Sequence, residues 1–463
     1  MPSGKRNSTK DCSAAASLKK KEENRMKWSR YAHLFHSKRN GWLLYNSASN
    51  AFMQLEDEET AELVQKIAED AEHFDFSSVP QIYLTLRSGG FLVKDTQDDD
   101  LYNILKMQRL YQNYATDTMI LTVAITRACN FNCSYCYEHS RSGVPMTEEM
   151  ADQVAAFAGK HKASKLHVVW YGGEPLLAFD RVLYLDKKLQ ALGKEYSAML
   201  VTNGYLITEE ICGKLNDLKV GTVQITLDGN EKTHNSRRAL LNGKETFQVI
   251  LNNLDILMRS EYKGIIHIRV NVDTRNEDEF IEVYRMIHDK YPDEYGKRIS
   301  VYPGFVKGDD HPDISCFYDS EDKGRFILSV AEKYDVNPMS LFPERTAAGC
   351  TLTKKDAYVV GPEGELYKCW DDVGIPESVI GYVYKRGGWN TALIAEGMVG
   401  ASYLDSQECR ECFYFPVCDG GCHRARQKNL HDDCNRDCCS YFKGHLEDLL
   451  ELHFEQKQKQ QKS

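Results

Sequence analysis

Cys129, Cys133 and Cys136 fall within ITRACNFNCSYCYEHS (125–140) at the spacing Cys-x3-Cys-x2-Cys. Three thiolates this close can hold three irons of a four-iron cluster and leave the fourth iron open to an outside ligand. A structural zinc site would need a fourth thiolate or imidazole, for which His139 is the local candidate. A redox pair formed by Cys133 and Cys136 would leave Cys129 without a role. Downstream lies a second set: Cys350, Cys369, Cys409, Cys412, Cys418, Cys422, Cys434, Cys438 and Cys439. That is more thiolate than one metal can use and enough for two four-iron clusters. Cys12, Cys212 and Cys316 are scattered.

The chain of 463 residues carries 15 Cys, a net charge of −10, 42% hydrophobic and 27% charged residues. The acidic balance excludes a general affinity for nucleic acid or an anionic membrane. No apolar run approaches the length that spans a bilayer. The N-terminal stretch is charged and lacks the apolar segment of a signal peptide, so a cytoplasmic protein is expected. In a reduced compartment, clustered cysteines point to metal rather than disulfides.

The elements that must position these thiols fall into distinct stretches. Residues 1–25 are polar and Lys/Ser-rich, the composition of a disordered tail. Residues 26–110 read as a small winged-helix-like unit. GWLLYNSASNAFMQL (41–55) predicts a β-hairpin, DEETAELVQKIAED a capped amphipathic helix, and SVPQIYLTLRSGGFLVKD a helix, a Gly-Gly break and a short strand. From 117 to 320, six apolar strand candidates alternate with helical patterns: MILTVAITRA, KLHVVWYGGEP, YSAMLVTNGY, VGTVQITLDG, GIIHIRVNVD and RISVYPGFV. That rhythm predicts an α/β fold, a parallel sheet forming a partial (β/α)6 TIM-like barrel, with ligands at the strand C-terminal ends. After about 320 the sheet rhythm stops, leaving a Cys-rich region over 321–450 and a helix decaying into a polar tail at 451–463.

The motifs at those strand ends resemble the radical S-adenosylmethionine enzymes. Cys-x3-Cys-x2-Cys with an aromatic, Tyr135, before the last Cys is that family's cluster motif. YGGEP (171–175) is similar to the segment whose backbone and Glu hold the methionine amino group, which implicates Gly172, Gly173 and Glu174. TNG, TLDG, HNSRR and RVN match later strand-end motifs and implicate Asn203, Thr226, Asp228, Arg238 and Arg269, with His234 and Arg238 at His-x3-Arg spacing. The resemblance implies a cluster that chelates S-adenosylmethionine and reduces it to a 5′-deoxyadenosyl radical, with flavodoxin or ferredoxin as electron donor. Arg238 or Arg269 would pair with the carboxylate; Asn203 and Asp228 would contact the ligand or simply stabilise turns.

The downstream cysteines resemble the SPASM extension of peptide-modifying radical enzymes and sulfatase maturases. By that resemblance Cys350, Cys369 and Cys422 serve one auxiliary cluster, giving three [4Fe-4S] clusters in all. Cys409, Cys412, Cys418 and a late Cys serve the other. Cys438 fits the late position best, with Cys434 and Cys439 competing. The first auxiliary cluster lacks a fourth ligand unless Cys316 reaches it. In sulfatase maturases an Asp follows the residue corresponding to Cys369 and is the proposed base; here Trp370 stands there, with Asp371 next as the candidate. The 26–110 unit resembles the leader-recognition element of ribosomal peptide maturases, which adds a peptide strand to a hairpin edge. The expected activity is therefore thioether or carbon–carbon crosslinking of a precursor peptide. Formylglycine generation in a sulfatase is the first alternative, and a non-catalytic iron–sulfur or zinc scaffold the second.

Overall fold

The structure is a computed structural model describing residues 25–136, 138, 143–306, 318–345, 349–385, 387–432 and 435–462. His139, Cys12, Cys316, Cys434 and nearly all of the expected N-terminal tail lie outside the described residues.

Strands β1 (Met26–Trp28) and β5 (Leu92–Lys94) pair antiparallel, enclosing in sequence a three-stranded antiparallel sheet. That sheet is β2 (Ala32–Ser37), β3 (Gly41–Asn46) and β4 (Phe52–Gln54). The hairpin read from GWLLYNSASNAFMQL is β3–β4, its turn set by the Asn46 side chain, which accepts from the Ala48 and Ser49 amides, and by Asn50 at φ +58°. Asp57 caps the helix Glu58–Glu69 by accepting from the Thr60 amide. Ala61, Val64 and Ile67 recur every third residue and are buried there.

This N-terminal part is tied to the rest of the chain. The helix Gln97–Tyr114 runs past the expected boundary at 110 and docks on the Cys-rich region: Tyr102 donates to the Leu404 carbonyl at 2.6 Å, and Arg109 to the Phe415 and Cys418 carbonyls at 2.7 and 2.9 Å. The C-terminal helix, Leu446–Lys462, braces β2, with Ser37 donating to Glu451 at 2.6 Å and Lys38 pairing with Asp448 at 2.7 Å. The stretch expected as a polar tail from 451 is therefore helical to Lys462. Its charge is spent on the N-terminal sheet, a tertiary use that composition does not reveal.

All six expected strands are present and parallel: β6 (Thr118–Ala124), β7 (Lys165–Tyr171), β8 (Glu195–Thr202), β9 (Val220–Thr226), β10 (Ile265–Val272) and β11 (Ile299–Phe305). One face carries Leu121, Val123, Val168, Trp170, Leu200, Val223, Ile225, Ile268 and Val270, all buried. The opposite face is half-buried and polar, with His167 beside Ser197 and His267 beside Ser300. The sheet does not end at 320. β12 (Ala357–Val360) joins β6 in parallel, and β13 (Glu365–Tyr367) and β14 (Gly381–Tyr382) extend it antiparallel, giving the order β11-β10-β9-β8-β7-β6-β12-β13-β14. The sequence signal was AYVVGPEGELY, two short apolar runs about a Gly-containing turn, with Gly364 at φ +82°. Through β12 the Cys-rich region is hydrogen-bonded to the same sheet that carries Cys129.

Candidate functional site

The cysteine loop leaves β6 at the C-terminal edge of the sheet and is fastened on two sides. On one side it zips to the turn after β7: Gly173 N–H donates to Thr126 O and Glu174 N–H to Ala128 O, both at 2.9 Å. This approach demands glycine. A Cβ at Gly172, which sits at φ +122°, or at Gly173 would come within 2.3 Å of the Thr126 or Ala128 carbonyl oxygen. On the other side, Asn132 N–H donates to Ala239 O at 2.8 Å, Leu241 N–H to Asn130 O at 2.9 Å, and Ser134 N–H to Arg237 O at 3.2 Å. Cys129 is thereby fixed between two strand-end segments. Burial pushes its thiol up to about 12, so in the metal-free protein it stays protonated and metal binding must release that proton.

Glu174 is fully buried and its carboxylate takes three donors: the Leu176 amide at 3.0 Å, the Thr202 hydroxyl at 2.7 Å and the Asn203 amide at 2.7 Å. Burial raises its pKa, and the three donors offset part of that rise. The residue expected to meet the methionine amino group also braces the ends of β7 and β8. Asn203 completes the brace, donating from Nδ2 to Asn130 Oδ1 at 2.7 Å.

Tyr135 points inward. Its hydroxyl hydrogen-bonds Asp228 and accepts from Arg238 Nη1 at 2.6 Å and Asn271 Nδ2 at 2.9 Å. The Arg237 guanidinium covers the Tyr135 ring at 5.0 Å, and Arg238 covers Phe131 at 5.5 Å. His234 organises this corner from behind. Its Nδ1 accepts from the Asp228 amide at 3.2 Å, so Nε2 carries the proton and meets Thr246 Oγ1 at 3.1 Å; that hydroxyl donates to Arg238 O at 2.8 Å. Burial and the two neighbouring arginines hold His234 well below the ordinary histidine range, keeping the ring neutral as this tautomer requires.

Arg269 lies one strand further out, its Nε on Asn271 Oδ1 at 2.8 Å, and its guanidinium fills the space where Gly304 has no Cβ. Thr226 is buried at the end of β9, opposite Arg269 in register. The structure thus brings Cys129, Tyr135, Asn203, Asp228 and Arg238 around one loop. Sequence reasoning missed Arg237, which pairs with buried Asp273 at 2.9 Å, as well as Asn130, Thr246 and Asn276. Arg237 was visible as the first Arg of HNSRR. The others carry no spacing signal.

Buried Arg238 Nε and Asn130 Nδ2 have no hydrogen-bond partner. Unpaired buried donors are costly, about 1–3 kcal/mol each, unless a ligand accepts from them. Both are donors on or beside the cysteine loop, the chemistry that a carboxylate such as that of S-adenosylmethionine calls for, so the residues present suit that cosubstrate beside a three-cysteine cluster.

In the C-terminal region Cys409, Cys412 and Cys418 are electrostatic neighbours, with Cys418 Sγ accepting from the Gly420 amide at 3.3 Å. Cys438 lies against the Cys422 carbonyl at 3.8 Å, so the two expected ligand sets adjoin. Burial pushes Cys418 and Cys438 up to about 11. Lys443 donates to Cys439 at 3.5 Å. Among the described residues no three His, Cys, Asp or Glu side chains converge on one ion, so a single-ion zinc site is not preformed. Asp371 is buried in the turn Trp370–Asp372, and Asp372 accepts from Arg424 at 2.8 Å.

Residues 123–287 match the family model of the radical SAM superfamily. The chain carries a radical SAM domain, and the protein is an enzyme that uses S-adenosylmethionine together with a [4Fe-4S] cluster. Among curated proteins it is 23% identical to the cysteine-type anaerobic sulfatase-maturating enzyme of Clostridium perfringens, over 70% of this chain and 94% of that one. It is 21% identical to the radical SAM cyclopropyl synthase TigE of Paramaledivibacter caminithermalis, over 91% and 95%. Among solved structures, Streptococcus suis SuiB bound to precursor peptide SuiA superposes with a TM-score of 0.51 at 14% identity, covering 90% of this chain and 99% of SuiB. Among the described residues no helix is long and apolar enough to cross a membrane.

Proposed function

We propose that the protein is a peptide maturase that installs a thioether or carbon–carbon crosslink in a ribosomally made precursor, using three [4Fe-4S] clusters. Cys129, Cys133 and Cys136 would hold the cluster that binds S-adenosylmethionine, and Cys350, Cys369, Cys409, Cys412, Cys418, Cys422 and Cys438 the two auxiliary ones. Together the reduced first cluster and S-adenosylmethionine supply a carbon-centred radical able to take hydrogen from an unactivated C–H bond. The chain's own residues do the rest. Arg238 and Asn130 receive the carboxylate, the Gly172–Gly173 turn lines the ammonium, and Tyr135, Asp228 and Asn271 form a fixed polar floor. Arg269 lines the outer wall.

The observation that carries the peptide reading is the reach of the fold likeness to the peptide-bound structure: 90% of the chain, more than the segment from Thr118 onward contains. The likeness therefore reaches into the residues before Thr118, which supports reading 26–110 as a winged-helix-like leader-recognition unit. The leader adds at an outer edge of its three-stranded sheet, β2 or β4. Mass spectrometry of a precursor encoded beside the gene, after anaerobic reaction, tests this. A crosslinked product is two hydrogens lighter, and residue-specific deuterium identifies the carbon that lost one. Likeness to the sulfatase-maturating enzyme favours a second reading, formylglycine formation. Appearance of an aldehyde on a synthetic sulfatase peptide would establish that reading instead.

A further inference from the structure

Trp370 occupies the place directly after Cys369 and is 39% exposed, although it is the largest apolar side chain in its loop. It is held there deliberately. Val373, three residues on, is buried with Ala124, Val359 and Tyr367, pinning the loop to the ends of β6 and β12. The Gly374 amide donates to the Tyr367 hydroxyl at 3.2 Å, and Gly374, at φ +87°, lies so close to Arg127 of the cysteine loop that a Cβ would come within 2.9 Å of its Nη1. The indole then lies tilted on Tyr171, with ring centroids 6.3 Å apart and planes at 33°. Tyr171 is the last residue of β7, immediately before the Gly172–Gly173 turn, so the two rings form a shelf beside the cosubstrate side of the site. Leu177, on the same strand-end segment, is also exposed, at 43%.

Asp371 is buried and Asp372 is tied to Arg424. The position thus offers a large, uncharged, pre-oriented aromatic surface rather than a base.

We propose that Trp370, with Tyr171, is the specificity determinant of the site: it receives an aromatic or large apolar side chain of the peptide, next to the carbon that loses hydrogen. The inference rests on the peptide reading above and narrows its substrate class. Half-burying such a side chain on an open aromatic shelf favours it over a small polar one by about tenfold in affinity.

The test uses the full-length, iron-reconstituted enzyme and labelled synthetic peptides identical except for one central residue, Phe, Leu, Ser or Asp. Binding is read by fluorescence anisotropy in the presence of S-adenosylmethionine. The wild type is expected to prefer Phe and Leu over Ser and Asp by about tenfold. Trp370→Ala is expected to reduce that preference to about twofold or less, and Trp370→Phe to restore most of it. A preference that survives Trp370→Ala, or peptides that bind equally whatever their central residue, would overturn the assignment while leaving the peptide reading intact. Failure of the wild type to bind any of the peptides would overturn both.

Discussion

Glu174→Gln is the most informative single change, because it alters charge and one hydrogen-bonding atom while keeping shape. The carboxylate sits with no exposure between the Leu176 amide, the Thr202 hydroxyl and the Asn203 amide. An amide nitrogen in place of the oxygen facing Asn203 sets donor against donor, leaving one buried N–H unpaired at a cost of about 1–3 kcal/mol. The two remaining bonds lose their charge assistance, together about 1–2 kcal/mol more. A local cost near 3 kcal/mol loosens the tie between the ends of β7 and β8, and with it the Gly172–Gly173 turn. If a third to all of that cost must be met to re-form the brace when the ligand binds, S-adenosylmethionine affinity falls by about 5- to 150-fold. Equilibrium dialysis with labelled cosubstrate measures the affinity. Hydrogen exchange in the cosubstrate-free protein measures the brace, and the amides of Leu176 and Asn203 are expected to exchange faster in the variant. Weakened binding with unchanged exchange at those two amides would refute the brace and make Glu174 a direct ligand. Binding within about twofold of wild type would refute both roles.

Gly173→Ala is expected to displace the Ala128 carbonyl and cost the enzyme the iron of its first cluster, about four atoms per chain, read by iron analysis after reconstitution. Gly213→Ala is the control: it lies inside the helix Glu209–Leu215 with nothing within 4 Å of its Cβ position, and should stabilise by about 0.5–1 kcal/mol without iron loss. The C-terminal helix should release in acid. His453 lies against Phe342 at 4.7 Å, and burial with Lys457 pulls its pKa from 6.5 down to about 4. The unfolded chain binds that proton first, so stability present above pH 6.5 is lost as the pH falls towards 4. Proteolysis of the helix Leu446–Lys462 should therefore accelerate between about pH 7 and pH 5, and His453→Leu should flatten that dependence.

Much of the parallel core is visible in the chain because each strand is an apolar run ending in Gly or a small polar residue. Period and punctuation sufficed for β6 to β11. The site was legible where a spacing forces proximity, as with Cys129, Cys133 and Cys136 or with His234 and Arg238 on one short helix. What escaped is what only tertiary packing decides. β12 is four residues long and gains its stability from β6, so nothing local separates it from a loop. The second half of the last helix, from 451, reads as a tail because its charged residues are met by β2 and the turn after it, more than four hundred residues away in sequence. Glu174 shows the same limit within a motif: its presence was predicted, but its carboxylate faces the brace of β8, a direction set by Thr202 and Asn203.

In the function proposed above, the loop at Cys129–Cys136 holds one of three clusters and alone activates S-adenosylmethionine. The direct measurement is iron content and 5′-deoxyadenosine formation in anaerobically reconstituted wild type and in the triple variant Cys129→Ala, Cys133→Ala, Cys136→Ala. Roughly twelve irons per chain are expected to fall to roughly eight, with 5′-deoxyadenosine abolished. A triple variant that keeps the wild-type iron content, or still forms 5′-deoxyadenosine on reduction, would contradict it.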